Sequence, residues 1–196
     1  SNHFMKSTNF ILIICFLFGI GCHAVSPTSQ VADTMPVVVA TVSETQQETI
    51  DAAETAKGHG DYDEAMELFK EVLHQNPVAT DALVGIGDIC LIKKEWDKAE
   101  PVFARAVKLE PRNFDAQYGH AVSLQMLKKY IDAVRAYHRA LTINPQDVGA
   151  NTNIATTYLQ IGRPQSALVF AERAVEIDGS VAPAQITLAA TYQLLQ

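Results

Sequence analysis

A repeat with a fixed period sets the limits on what this chain can fold into. Pro77, Pro111 and Pro145 stand 34 residues apart, and the next step lands on Gly179. Each closes a similar phrase: VLHQNP, AVKLEP, ALTINP, AVEIDG. Four further series keep the period: Ala65, Ala99, Ala133 and Ala167; Ala53, Gly87, Ala121, Ala155 and Ala189; Phe69, Phe103 and Tyr137; Tyr62, Trp96 and Tyr130. Val72, Ala106, Ala140 and Ala174 add another. General amphipathicity does not align so many small and aromatic positions. A unit this short cannot bury its own apolar face, so neighbouring units must stack to complete a shared core.

Inside a unit the spacing is helical. Ala121, Leu124 and Lys128 follow a first helix of the third unit, and Ala133, Ala136, Tyr137 and Ala140 a second. Each unit then holds two helices of about 14 residues, roughly 20 Å long. Gly60 and Gly162 mark turns between such helices, and Lys93-Lys94-Glu95 keeps the same length without glycine. Asn113 and Asp147 are candidate N-caps. Pro164 and Pro183 fall in first turns, where the missing N–H costs nothing, and Pro101 falls within the first turn or two of its helix. Val37-Val38-Val39 is β-prone, but no partner strand follows it, and it reads as part of a tether.

A small residue and an aromatic in a first helix, then A-x-x-x-F and a closing proline, is the pattern that the chain resembles: that of the tetratricopeptide repeat family. Ala99-Glu100-Pro101-Val102-Phe103 and Ala133-Val134-Arg135-Ala136-Tyr137 carry it, closed by Pro111 and Pro145. Repeats are placed at 46–79, 80–113, 114–147 and 148–181, with a partial fifth at 182–196. Departures are local. Ala171 replaces the aromatic and Gly179 the last proline, and Ala56, Cys90 and Leu124 stand where the first helix usually has a tyrosine that Tyr158 and Tyr192 keep. The resemblance implies an all-α fold, a right-handed superhelical solenoid of antiparallel helix pairs. Its first helices would line a concave groove for a peptide or helix: Val84, Asp88, Leu91, Tyr118, Val122, Gln125, Thr152, Thr156 and Leu159. The family's chaperone-binding members hold a terminal carboxylate with Lys, Asn and Arg. Those positions here carry Val84, Asp88, Tyr118 and Val122, which does not support such a clamp.

The two ends of the array read differently. Glu44 to Lys57 is polar with small alanines and suits an N-terminal cap. Ile186, Leu188, Ala189, Tyr192 and Leu195 need a partner, supplied by further repeats or by self-association through 182–196.

Ahead of the array, Phe10 to Cys22 runs thirteen residues without a charge, after the mildly basic start Met5-Lys6. That is the length of a signal-peptide core, short of the roughly 20 residues that span a membrane. Residues 1–24 are expected to be a signal peptide or lipoprotein signal, with 1–4 a scar, and 25–43 a flexible linker; the alternative is an uncleaved N-terminal anchor, since Ala24 and Val25 lengthen the apolar run. Gly21-Cys22 resembles the end of a lipoprotein box, in which Cys22 would be acylated, although Gly19 stands where such boxes carry Leu. Cys22-His23-Ala24 offers an ordinary cleavage site instead. Acyl chains on Cys22 would bury about 0.8 kcal/mol per CH₂ and tether the chain to a membrane. The expected location is the bacterial cell envelope, as a periplasmic or lipid-anchored protein.

Charge and chemistry narrow the function. The net charge is −7, and residues 44–71 alone carry −7 while 72–196 balance to zero. No basic stripe exists to hold nucleic acid. One body cysteine, Cys90, allows no internal disulfide and no CxxC site. There is no phosphate loop, no G-x-G-x-x-G after a strand and no H-E-x-x-H. His59, His74, His120 and His138 are scattered, and Asp61, Asp63, Glu64 and Glu67 lack the ligand order of a calcium loop. The expectation is a non-enzymatic adaptor with no cofactor and a protein or peptide partner. The alternative is the recruiting domain of a larger enzyme.

Overall fold

The computed structural model describes residues 44–196; the expected signal segment 1–24 with Cys22 and the linker 25–43 lie outside the described residues. Nine helices and no strand are found among the described residues. They are α1 (Glu44–His59), α2 (Tyr62–Gln75), α3 (Thr80–Ile92), α4 (Trp96–Leu109), α5 (Phe114–Met126), α6 (Tyr130–Ile143), α7 (Val148–Gln160), α8 (Pro164–Ile177) and α9 (Ala182–Leu194). Odd-numbered helices are the first helices of the units and even-numbered ones the second. The architecture is an all-α helical-repeat solenoid.

Four first helices, α1, α3, α5 and α7, end in the same way. The backbone N–H groups of Asp61, Glu95, Lys129 and Arg163 donate to the carbonyls of Ala56, Cys90, Leu124 and Tyr158 at 2.8–2.9 Å. This six-residue closure needs a left-handed residue just before the donor. Gly60 (φ 88°) and Gly162 (φ 70°) supply it freely, whereas Lys94 and Lys128 adopt φ 59°. Lys128 therefore does not continue the face of Ala121 and Leu124 as its spacing suggested. α5 stops at Met126, because closure onto Leu124 takes Lys128 for the turn. At the other helix ends, Asn113 Oδ1 accepts from the Ala116 N–H at 2.9 Å and Asp147 Oδ1 from that of Ala150 at 2.6 Å. Each cap is worth about 1 kcal/mol. Pro164 and Pro183 occupy first turns. Pro101 sits inside α4, where it leaves one carbonyl without its helical donor.

The core is built where second-helix rings enter gaps between first helices. Phe69 and Phe103 are fully buried. A Cβ built on Gly87 would lie 2.6 Å from Phe103 Cζ, and one on Gly119 would lie 2.7 Å from Cδ1, with Cε1 and Cζ nearer still. Gly85 stands as close to Phe69. Glycine is required at these places because a ring fills the space of the side chain. In the third unit Tyr137 takes the ring position, and its hydroxyl donates to Gln125 Oε1 at 2.7 Å. Burial pushes its phenol pKa up. In the fourth unit Ala171 is too small to fill the gap. Its neighbour Phe170 stacks instead on Tyr158 at 5.8 Å, with His138 edge-on at 5.4 Å.

The backbones of successive first helices come close to one another, while those of successive second helices stay farther apart. The array therefore curves with α1, α3, α5, α7 and α9 on its inner side. At the last unit Ile186 (68% exposed), Leu194 (60%) and Tyr192 (47%) are open, but Leu188 packs into the cluster of Ala155, Ala167 and Ala171. Leu195 is half-buried. Of the face expected to lack a partner, Leu188 is thus already covered.

Candidate binding groove

The inner side is concave along α1, α3 and α5. A groove of about 640 Å³ is lined there by Gln47, Ile50, Asp51, Glu54, Lys57, Asp81, Val84, Asp88, Asp115 and Tyr118. Its floor is apolar and aromatic: Ile50, Val84 and the ring of Tyr118. Its walls are carboxylates from three successive first helices. Helical periodicity places Asp81, Val84 and Asp88 on one face of α3, and the 34-residue repeat places Asp115 and Tyr118 in the same columns on α5.

Tyr118 is held from three sides. It stacks on Phe114 at 5.8 Å with planes 10° apart and tilts against Tyr137 at 6.1 Å. Its hydroxyl accepts from Asn153 Nδ2 at 2.9 Å. Burial, then the charge of Asp147, push its phenol pKa up. Gly149 leaves room for that hydroxyl, since a Cβ there would lie 3.1 Å from it.

One ammonium sits among the carboxylates. Lys57 Nζ lies 2.7 Å from Glu54 Oε2 and 3.2 Å from Asp88 Oδ2, bridging α1 and α3. It is also 6.0 Å from the Phe69 ring centre. Burial pulls the Lys57 pKa down, but Glu54 and Asp88 outweigh it and leave the net direction upward. For Asp88 burial wins over Lys57, and its carboxyl lies above the ordinary range. Asp81 is raised too, by burial and by the charges of Glu110, Asp115 and Glu54. Like charge is crowded on this wall.

The nine residues proposed for the groove divide by depth. Val84, Asp88 and Tyr118 line the cavity. Leu91, Val122, Thr156 and Leu159 are half-buried, and Leu91, Val122 and Leu159 pack against neighbouring core clusters. Thr156 reaches Thr187 of α9 at 3.3 Å. Gln125 and Thr152 are buried, with 7% and 6% of their surface exposed. The Gln125 amide is occupied on both sides, accepting from Tyr137 and donating to Gln160 Oε1 at 3.1 Å. Ile50, Asp51, Glu54, Asp81 and Asp115 join the lining without having been singled out in the sequence. The 34-residue register could have found Asp81 and Asp115, which stand three positions before Val84 and Tyr118.

No cluster of His, Cys, Asp and Glu that could hold a metal ion occurs among the described residues. Asp63 at the start of α2 pairs with Lys93 in the turn after α3, and Lys93 holds its carboxyl below the ordinary range. His120 Nε2 faces Glu100 Oε1 at 3.4 Å. Cys90 is buried, and burial pushes its thiol pKa up, away from reactive thiolates. No helix among the described residues is long and apolar enough to cross a membrane. A second concavity, of about 430 Å³, lies between α6 and α8 and is lined by Leu141, Pro145, Val169 and Phe170 with Glu172, Arg173 and Glu176.

Comparisons with known proteins agree with the architecture. Two family models, each described as a tetratricopeptide repeat, match residues 50–116 and 93–148, and residues 124–192. A crystal structure of MamA is similar at 21% identity and a TM-score of 0.69, over 77% of this chain and 82% of that one. A MamA double mutant is similar at 19% identity and a TM-score of 0.69, over 76% and 84%. YrrB, described as a TPR protein with an unusual peptide-binding site, is similar at 22% identity and a TM-score of 0.65, over 74% and 75%. No curated protein matches the sequence.

Proposed function

The chain belongs to the tetratricopeptide repeat family, and on that footing we propose that it is a non-catalytic scaffold holding a protein segment, extended or helical, in the groove of its first helices. The observation that carries this reading is the groove itself: an apolar, aromatic floor of Ile50, Val84 and Tyr118 between polar walls. Such a floor gives the few anchors that dominate affinity at interfaces, and the walls give orientation. The similarity to a peptide-binding repeat protein supports it. The test is site-specific photo-cross-linking from position 84 in the native compartment, with Tyr118→Ala as the groove variant. Tyr118→Ala should weaken capture by about 1–2 kcal/mol or more. Because Tyr118 also packs on Phe114 and Tyr137, its melting temperature is measured alongside and binding is assayed well below the melt. Lys108→Ala, on exposed α4, should leave capture unchanged. Full binding by Tyr118→Ala together with loss in the Lys108 variant would move the site to the outer wall.

The uncharged run Phe10 to Cys22 supports export to the cell envelope, with Cys22 as an acylated tether or with cleavage after Ala24. Mass spectrometry of the mature N-terminus decides: an acylated Cys22 or a free Val25 agrees, and an intact Met5 overturns both. The exposure of Tyr192 and Leu194 favours self-association through 182–196. Light scattering should show oligomers that weaken when Tyr192 and Leu194 become Ser, and a clean monomer would refute this.

A further inference from the structure

The groove is not uniform along its length. Over α1, α3 and α5 five carboxylates, those of Asp51, Glu54, Asp81, Asp88 and Asp115, share one lining with the single ammonium of Lys57. Over α7 and α9 the charge vanishes: neither helix contains an Asp, Glu, Lys or Arg. The 34-residue register shows where the change falls. Asp81 and Asp115 are followed in their column by Gly149 and Pro183, and Val84 and Tyr118 by Thr152 and Ile186. Ile186 is the most open large apolar side chain of the described residues, and it lies in the groove column of the last first helix.

We propose that the segment held in this groove is bipartite, with a Lys- or Arg-bearing stretch over α1, α3 and α5 running into an uncharged, partly apolar stretch over α7 and α9. The inference rests on the groove reading above and adds the ligand's charge and its polarity along the array. Two independent features carry it. The first is charge complementarity over an apolar floor: a cationic side chain can lay its methylenes on Val84 and Tyr118 and its head group among Asp81, Asp88 and Asp115. Lys57 already places an ammonium on this wall from within the protein, between carboxylates of α1 and α3 and 6.0 Å from the Phe69 ring centre. Asp81 lies in the same groove among further carboxylates, and their repulsion is what a ligand cation would relieve. The second feature is the uncharged end. A segment that was basic throughout would leave its remaining charges over Thr156, Leu159 and Ile186 without partners.

The test pans the full chain against a displayed library of random peptides about 12 residues long, a length that suits groove recognition. Enriched peptides should carry Lys or Arg clustered toward one end and an uncharged remainder. A synthetic enriched peptide with a photo-cross-linker at each end should join its basic end to α1, α3 or α5 and its other end to α7 or α9. Asp81→Asn combined with Asp115→Asn should weaken it about tenfold. Lys57→Gln should strengthen it, provided circular dichroism shows the helices intact. Glu64→Gln combined with Glu67→Gln changes net charge equally but outside the groove, and should leave binding alone. Enrichment without basic residues, equal loss in the Glu64 and Glu67 control, or a reversed cross-linking pattern overturns the bipartite proposal while leaving a groove binder. Cross-links confined to the outer wall around Val169 overturn the groove reading as well, and an absence of any enrichment counts against both.

Discussion

The ring-and-glycine fit makes a sharp prediction at Gly119, the neighbour of Tyr118 on α5. Helix propensity alone would make Gly119→Ala stabilising by about 0.5–1 kcal/mol. The structure reverses the sign. The new methyl carbon would lie 2.7 Å from Phe103 Cδ1 and closer to Cε1 and Cζ, well inside van der Waals contact. Phe103 is fully buried and touches Gly87 on its other side, so the ring has nowhere to retreat. Overpacking of this kind costs about 1–3 kcal/mol, and for a chain of this size 1 kcal/mol shifts the melting temperature by about 2–4 °C. Gly58→Ala is the control, because a Cβ there meets nothing within 4 Å and the backbone stays helical. Thermal melts by circular dichroism should show Gly119→Ala falling and Gly58→Ala rising. Phe103→Leu will itself destabilise, but combined with Gly119→Ala it should lose less than the sum of the two, since the ring that clashes is gone. If Gly119→Ala rises as Gly58→Ala does, or the double variant is simply additive, Phe103 does not fill the gap and the account of the core fails.

The remaining predictions concern single groups. Tyr137→Phe removes the buried donor to Gln125 Oε1 and should cost about 1 kcal/mol in a urea melt, with the helix content unchanged. Asn113→Ala should lose about 1 kcal/mol by stripping the cap of the Ala116 N–H, and Asn113→Asp should keep most of it. Burial first, despite Glu100, holds the folded His120 pKa below its ordinary value, so the unfolded chain takes up the proton first. Stability from this source is present above about pH 6.5 and is lost as pH falls below it. Asp81 and Asp88, raised in the fold, act in the opposite sense at lower pH, so the comparison is between wild type and variant. The melting temperature of His120→Gln should decline less than that of wild type from pH 7 to pH 5.5, and an equal decline would refute this role.

Much of the fold was legible because it repeats. A closing proline, an alanine column and an aromatic column at one spacing fix the order of helices, and Asn113 and Asp147 announce the helix starts that they cap. Lys94 and Lys128 were harder to read, since lysine has no preference for the left-handed conformation that the turn imposes. Only their place in the column of Gly60 and Gly162 reveals them. The groove was legible as a set of columns but not in depth. Gln125 and Thr152 lie in the expected register, yet the neighbouring helices cover them, and such cover depends on how closely two helices approach. Its charge, Asp88 apart, was missed for another reason. Summed along the chain, residues 72–196 are neutral, but folding sorts that balance by face. Asp81, Asp88 and Asp115 line the groove, while Arg105 reaches the Pro77 carbonyl and Lys108 lies exposed on α4. A charge count by segment cannot see a face.

The paired rings and gaps also give each junction its own key. Phe69 requires Gly85, and Phe103 requires both Gly87 and Gly119. Further along the array, the column of Gly85 and Gly119 continues with Asn153 and Thr187, and that of Gly87 with Ala121. A copy of the second unit moved to the place of the third would set Val84 where Tyr118 accepts from the Asn153 amide, leaving that donor without its partner. The units therefore cannot be shuffled like identical beads. Their sequence of sizes writes the serial order of the array into its joints, so a chain that skipped or doubled a unit during folding would meet a mismatched joint and be driven back to the correct alignment. Recombination between neighbouring repeats would be filtered by the same mismatch: an exchange that moves ring and gap together yields a foldable array, and one that cuts between them does not.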